Sequence, residues 1–421
     1  MGDAAVIGAG VLGLAVAQRL RERGEHVTVF ESAAQPGGRT TSWTLGDPMW
    51  DRHHHVILPT DSRTMVLLRS LGLDREIRWS PASWGFYGGP QLGLRPLSTA
   101  RDLLRLPMLG ALDKVRVAAT TLSGSRRATN EALEGRSARA WLLGRDGRRT
   151  FERLWRPLLE ARLGGDWRYA SASFVAASMG RVHAMRRAGR VGLPAGGYGR
   201  LFDRFASSIS DAGVKIDYGR PVVRIRPTGR GLEVYLDDGV ATFDRVVVTT
   251  SAPLAADMCP EVSPGELERL RSVRYVGAVT ASLVLPRRLS PYFQTMVGDD
   301  STAPLGSIVE TTPFGDRQDA VVHLSAYAPA DDPLFDEPDA AVMARLLDHL
   351  RVIHPHFDDG EVVGSRVARA RHALAVPTLD YSRSMPRTTT TIPGLQLIGS
   401  ANLPTGSANL NAVLGLLEEL R

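Results

Sequence analysis

Three glycines near the start of the chain, Gly8, Gly10 and Gly13, stand in the spacing Gly-x-Gly-x-x-Gly between an apolar run at residues 4–7 and a helix-forming run from residue 11. Eighteen residues after the third glycine, Glu31 closes a second apolar run. Together these residues can hold a dinucleotide. Gly8 permits a tight turn, Gly10 lets backbone approach a pyrophosphate, and Gly13 lets helix and strand pack closely. The helix opening at Val11, Leu12 and Gly13 turns free N–H groups toward the phosphates. Glu31 can accept hydrogen bonds from both hydroxyls of an adenosine ribose, which suits FAD or NAD better than NADP. A second cluster able to do chemistry is His53, His54 and His55, after Asp51 and Arg52. On an extended segment adjacent side chains face opposite ways, so the three cannot close around one ion. His53 and His55 can share a face, but the sequence supplies no third ligand, and no metal site is expected. An imidazole here can instead orient a substrate, exchange a proton or hydrogen-bond a cofactor.

The residues after Glu31 decide between the dinucleotides. Ser32 leads through Pro36 to Gly37-Gly38-Arg39-Thr40-Thr41-Ser42, a loop that a nicotinamide-binding domain does not require. The pattern ExxxxxGGRxxS resembles the flavoprotein superfamily of amine oxidases, phytoene desaturases, protoporphyrinogen oxidase, hydroxysqualene dehydroxylases and UDP-galactopyranose mutase. The resemblance implies FAD, with Gly37 and Gly38 beside the pyrophosphate and ribityl chain, Arg39 near the phosphates, and Ser32 and Thr40 flanking them. It also implies that one of the histidines at 53–55 lies beside the isoalloxazine. The fold it implies is α/β, a Rossmann-like FAD-binding domain of three discontinuous segments with an α+β substrate domain.

The rest of the chain divides accordingly. Residues 1–58 give the first FAD-binding segment. Residues 59–190 show apolar spacing of three and four, which predicts a mainly helical insert of the substrate domain. Residues 191–255 open on a glycine-rich turn at Gly196 and Gly197, then a helix and strands, and match the second FAD segment. There the resemblance puts backbone near Val222 and Val223 against the adenine. Residues 256–370 alternate as antiparallel substrate-domain strands, with one helix near residues 339–353. Residues 371–421 supply the third FAD segment, where Ile392-Pro393-Gly394-Leu395 leads to Gly399 and Ser400. Relatives usually follow that glycine with an acid, so Ser400 contributes one neutral hydrogen bond instead. The last helix would bring Asn409, Leu410 and Asn411 to the flavin edge, with Ser407 or Asn409 as its cap. Residues 151–159 and Gly164-Gly165-Asp166 resemble the desaturase and protoporphyrinogen oxidase branch, and read as a wall of the substrate cavity.

At 421 residues the chain has room for two intertwined domains. Its one cysteine, Cys259, excludes an internal disulfide and suits a reducing cytoplasm. The net charge of +6 comes almost wholly from arginines spread among carboxylates, and no nucleic-acid module accompanies it. Residues 101–127 are both basic and apolar. A helix pair explains them better than peripheral contact with a membrane. No run approaches the length of a membrane span, and the glycine-broken N-terminal run is a strand and helix rather than a signal peptide. Lysine occurs only at Lys114 and Lys215, and neither is placed to serve a flavin as lysine does in many amine oxidases of the superfamily. The expected function is FAD-dependent oxidation of a small, partly apolar organic substrate by hydride transfer to flavin N5, within isoprenoid or secondary metabolism. A flavin-dependent mutase without net redox change is the alternative. A flavin-free binding protein of the same architecture is disfavoured by the intact glycines, Glu31 and Arg39.

Overall fold

The computed structural model describes residues 2–43, 50–126, 131–298, 305–311, 320–406 and 409–420. Consecutive apolar residues at the start of the chain form a central strand, Asp3–Ile7, buried on both faces. It anchors a five-stranded parallel sheet in the order Leu395–Leu397, Arg245–Val248, Asp3–Ile7, His26–Glu31, Lys215–Tyr218. Ala4, Val6 and Val29 pack with the helices Val11–Glu22 and Gly197–Asp211 on one face. Ala5, Ile7 and Val246 pack on the other face with the helix Ala252–Met258 and the three-stranded antiparallel sheet of residues 222–243. The strands come from widely separated parts of the sequence, and their carboxyl ends, at Gly8, Glu31, Thr249 and Ile398, meet along one edge.

A second sheet has seven strands, Gly364–Ala375, Tyr275–Leu285, Ala320–Pro329, Leu305–Thr311, Gln294–Val297, Trp84–Tyr87 and Leu94–Pro96. Neighbours run antiparallel except Gln294–Val297 beside Trp84–Tyr87. Its two faces differ. Val279, Ala281, Leu283, Val322 and Leu324 turn into a core covered by the helix Asp339–Ile353. By the two-residue period, Thr280, Ser282, His323, Ser325 and Ser307 belong to the opposite face. These five polar residues are almost fully buried.

The stretch read as mainly helical does hold the helices Ala111–Arg126, Ala138–Thr150 and Ala172–Ala188, but it also carries strands at Ile77–Pro81, Trp84–Tyr87 and Leu94–Pro96. The reason is local. Trp79, Trp84, Phe86 and Tyr87 favour a pleated surface, and Pro81, Gly88 and Gly89 leave no room for three helical turns. The two last strands extend the seven-stranded sheet, while Ile77–Pro81 pairs with Arg190–Pro194. Residues 151–155 form a π-helical turn before the helix Arg156–Leu163, which packs on the seven-stranded sheet. Among the described residues no helix is long and apolar enough to cross a membrane.

Candidate active site

The glycine loop is shaped by contacts that a larger residue could not make. Gly8 has φ of 101°, a conformation that favours glycine. A Cβ on Gly13 would lie 1.8 Å from the carbonyl oxygen of Gly8, so helix and loop are in direct backbone contact. A Cβ on Gly10 would meet no protein atom within 4 Å. Gly10 is the N-cap of the helix Val11–Glu22, and no side chain caps that helix. Open space and uncapped N–H groups therefore coincide at one point, which fits a phosphate.

The Gly37-Gly38 loop closes over this point. Gly37 N donates to Ala9 O at 2.9 Å, and a Cβ on Gly38 would reach Gly10 Cα at 3.4 Å. Arg39 crosses to the second sheet and donates to the carbonyls of His372 at 2.6 Å and Ala373 at 2.8 Å. Thr40 Oγ1 donates to Gly37 O at 2.6 Å, which braces the loop. Glu31 accepts from Ala9 N at 2.7 Å, Ala33 N at 2.8 Å and the Ser32 hydroxyl at 3.2 Å. Of about four lone-pair positions on a carboxylate, three are thus used within the protein. One ribose hydroxyl can be accepted as the site stands, and a second only if Ser32 turns away.

The other segments converge on the same edge. Gly219 N donates to Ala33 O and Arg220 N to Glu31 O, so the chain entering Val222 and Val223 runs beside the acid. Val222 is partly packed in the core and Val223 is half exposed. Gly399 passes so close to the strand end that a Cβ would lie 2.6 Å from Thr250 O. Ser400 hydrogen-bonds the Tyr275 hydroxyl, whose ring contacts His372, and His372 in turn shares a hydrogen bond of 3.0 Å with Ser251. Asn409 caps the last helix by accepting from Ala412 N, whereas Ser407 lies outside the described residues. That helix, Leu410–Gly415, has only six residues, and Leu410 packs partly against the core. Asn411 turns its amide oxygen to Arg63 N at 2.8 Å and Thr64 N at 3.3 Å, capping a neighbouring helix. That oxygen is committed to the protein, so Asn411 offers a ligand its backbone rather than its side-chain acceptor.

The histidines lie between the seven-stranded sheet and the helix Gly197–Asp211, whose Tyr198 ring meets His55. The chain bends at Arg52 and His53 and is not a strand there, so strict two-residue alternation does not govern these side chains. His54 and His55 line one small cavity with Trp50, Asp51, Leu193, Thr311 and His323. His53 Nδ1 lies 3.0 Å from Thr280 Oγ1. His55 Nδ1 must carry its proton, because it donates to the carbonyl of His53 at 2.9 Å, and neutral His55 then keeps Nε2 as an acceptor. The His54 ring sits 6.2 Å from His323, whose Nδ1 is 3.0 Å from Ser282 Oγ. Burial, reinforced by positive neighbours, depresses His53 to about 3 and His54 well below its usual value. Burial lowers both His55 and His323 to about 4. Asp51 is shifted the other way, to about 6, by burial that outweighs its bonds from the Ser42 hydroxyl and Tyr198 N.

These histidines are therefore neutral at physiological pH. Their ring nitrogens should show no titration in NMR between pH 8 and pH 5, and a transition near the ordinary imidazole value would contradict the packing described. Since the unfolded chain takes up protons at its ordinary histidine value, the stability these groups contribute is present above about pH 6.5 and lost as pH falls toward about 4.

Sequence comparison agrees with the architecture. The model of the flavin containing amine oxidoreductases matches residues 13–406. The chain belongs to that family. A curated relative, mitochondrial protoporphyrinogen oxidase of Nicotiana tabacum, is 40% identical over 79 residues, which are 19% of this chain and only 16% of the relative. The fold matches a putative protoporphyrinogen oxidase from Exiguobacterium with a TM-score of 0.78 at 17% identity, covering 99% of this chain and 98% of the other. It also matches cyclohexylamine oxidase from Brevibacterium oxydans with a TM-score of 0.73 at 17% identity, covering 100% and 99%.

The protein is thus an FAD-dependent oxidoreductase of α/β fold. Within that family it lacks a lysine near the cleft: Lys114 donates to Leu104 O on the exposed face of a helix pair, and Lys215 pairs with Asp217 on an edge strand. Cys259 is buried, its thiol pushed up to about 12, and has no redox partner in the chain. Sequence reasoning missed Asp51 as a cleft residue, and also His323, Thr280, Ser282 and His372. The available signal was a histidine and hydroxyls set into otherwise apolar strands, at Thr280, Ser282 and His323.

Proposed function

We propose that this oxidoreductase acts on a small, partly apolar organic substrate held between the histidine segment and the hydroxyl-bearing face of the seven-stranded sheet. The observation that carries this reading is the juxtaposition just described. Open space over Gly10 lies beside Gly38, and Arg39 links that loop to the sheet that meets His53 and His54. The cofactor would be held in three segments, residues 1–58, 191–255 and 371–421. Gly8, Gly10, Val11, Leu12, Gly13, Gly37, Gly38, Arg39 and Thr40 would surround the phosphates. Glu31 and Ser32 would meet the ribose, Val222 and Val223 the adenine, and Gly399, Ser400, Asn409, Leu410 and Asn411 the far end. When bound, FAD supplies a hydride acceptor at N5.

The chain's own residues would orient the substrate and exclude water. A base is most useful when its pKa is near the working pH. Histidines at about 3 to 4 are poor proton stores at neutral pH, so their role is to position a reacting group through neutral hydrogen bonds. Asp51, raised to about 6, is better matched to accept a proton. A cytoplasmic site and a role in isoprenoid or secondary metabolism fit this reading. The mutase alternative is not favoured by the family match.

Anaerobic addition of isoprenoid, porphyrin, sugar and polyketide compounds tests the proposal. At least one class should bleach the visible flavin band, with recovery on admitting an acceptor. Turnover that requires pre-reduced flavin and leaves no oxidised product would contradict net oxidation.

A further inference from the structure

Resting on that reading, we infer that the cavity bounded by Asp51, His54, His55, Thr311 and His323 receives an uncharged oxygen-bearing end of the substrate, a hydroxyl or carbonyl group, and discriminates against an ammonium. The cavity has space for no more than about one oxygen-sized group, and Trp50 and Leu193 share its lining with the polar side chains. It offers both halves of a hydrogen-bond pair. His55 Nε2 is an acceptor, fixed as such by the Nδ1–H bond to the carbonyl of His53. Thr311 donates its hydroxyl proton to Val321 O at 3.3 Å, which leaves its oxygen able to accept. His323 Nδ1 shares a hydrogen bond with Ser282 Oγ, and in the tautomer in which Nδ1 accepts from the serine, His323 Nε2–H is left to donate. A purely hydrocarbon end group would leave these atoms unpaired, at a cost that a hydroxyl or carbonyl removes.

Charge separates the oxygen-bearing group from an amine. Asp51 is the carboxylate of the cavity lining, and its Oδ1 is already shared by the Ser42 hydroxyl at 2.7 Å and Tyr198 N at 2.9 Å, at the positive start of the helix Gly197–Asp211. Against that one anion stand Arg39, Arg52 and Arg162, which act on the histidines as positive neighbours. Arg52 lies 4.3 Å from the Trp43 ring centroid, and its Nε has no hydrogen-bond partner. The histidines add no negative charge. An ammonium would enter a field in which three guanidiniums outweigh one carboxylate, while a neutral group meets hydrogen-bonding atoms already in place.

The test is a spectral titration of the FAD-loaded protein with three probes of one shape, cyclohexanol, cyclohexanone and cyclohexylamine, read as perturbation of the visible flavin bands. The alcohol or ketone should bind at least about tenfold more tightly than the protonated amine. Thr311→Val, nearly isosteric, removes an acceptor and should weaken cyclohexanol by about fivefold while leaving the flavin spectrum and the cyclohexanone affinity unchanged. Equal or tighter binding of the amine overturns the inference, as does absence of binding by both oxygen probes. In either case an intact flavin spectrum leaves the oxidoreductase reading standing. Failure to load FAD sinks that reading, and this inference with it.

Discussion

Gly10→Val is expected to leave the apoprotein folded while costing at least about a hundredfold in FAD affinity, roughly 2.7 kcal/mol. The backbone at Gly10, φ −70° and ψ 174°, is ordinary extended geometry that valine adopts readily. Its Cβ would meet no protein atom within 4 Å, so the apoprotein should change by no more than about 0.5 kcal/mol. The added methyls occupy the space over the uncapped start of the helix Val11–Glu22, and only a ligand there is obstructed. Gly13→Ala makes the contrast. Its Cβ would fall 1.8 Å from Gly8 O and 2.9 Å from Gly8 C, both backbone atoms, so the loop must move and stability should drop by about 1–3 kcal/mol or more. Thermal melts of both apoproteins, with FAD titrations followed by flavin fluorescence, separate the two. Wild-type FAD affinity in Gly10→Val would show that the gap is not the phosphate site.

The second large effect is expected at Glu31→Ala, which should lower both stability and FAD affinity. The carboxylate is 7% exposed and accepts from two backbone amides, Ala9 N and Ala33 N. Without it each amide loses its acceptor, at about 1–3 kcal/mol where water does not replace it. Ala9 is also the residue whose carbonyl receives Gly37 N, so the loss loosens both glycine loops together. FAD affinity should fall by about a hundredfold. Glu31→Gln keeps one oxygen acceptor and should recover part of the stability, though not the full affinity. Denaturant titration of the apoprotein and equilibrium binding of FAD check both halves. Unchanged FAD affinity in Glu31→Ala would remove Glu31 from the cofactor site.

The backbone geometry around the glycines and Glu31 was legible in the sequence because glycine spacing, a strand before it and an acid after it all reflect local backbone requirements. Gly8, Gly13 and Gly37 stand where a Cβ would be strained or would clash, and Gly10 where it would enter open space. The substrate side was less legible for two physical reasons. The bend at Arg52 and His53 is tertiary, so a period-two reading could not show that His54 and His55 share a cavity. The polar face that meets them is assembled by strand register across residues 280, 307, 323 and 325, which no local pattern announces. Asn411 is a similar case, since the helix start it caps is more than three hundred residues away in sequence. The strands at 77–96 were overlooked because they lie among long helices. Their run of aromatic residues was the sign available.

The most direct test of the account is a crystal structure of the FAD-loaded protein. It should place the pyrophosphate between Gly10 and Gly38, the adenosine beside Glu31 and Val222, and the isoalloxazine ring facing the segment of His53, His54 and His55. A flavin ring directed away from that segment, or a pyrophosphate that leaves the space over Gly10 unused, would contradict it.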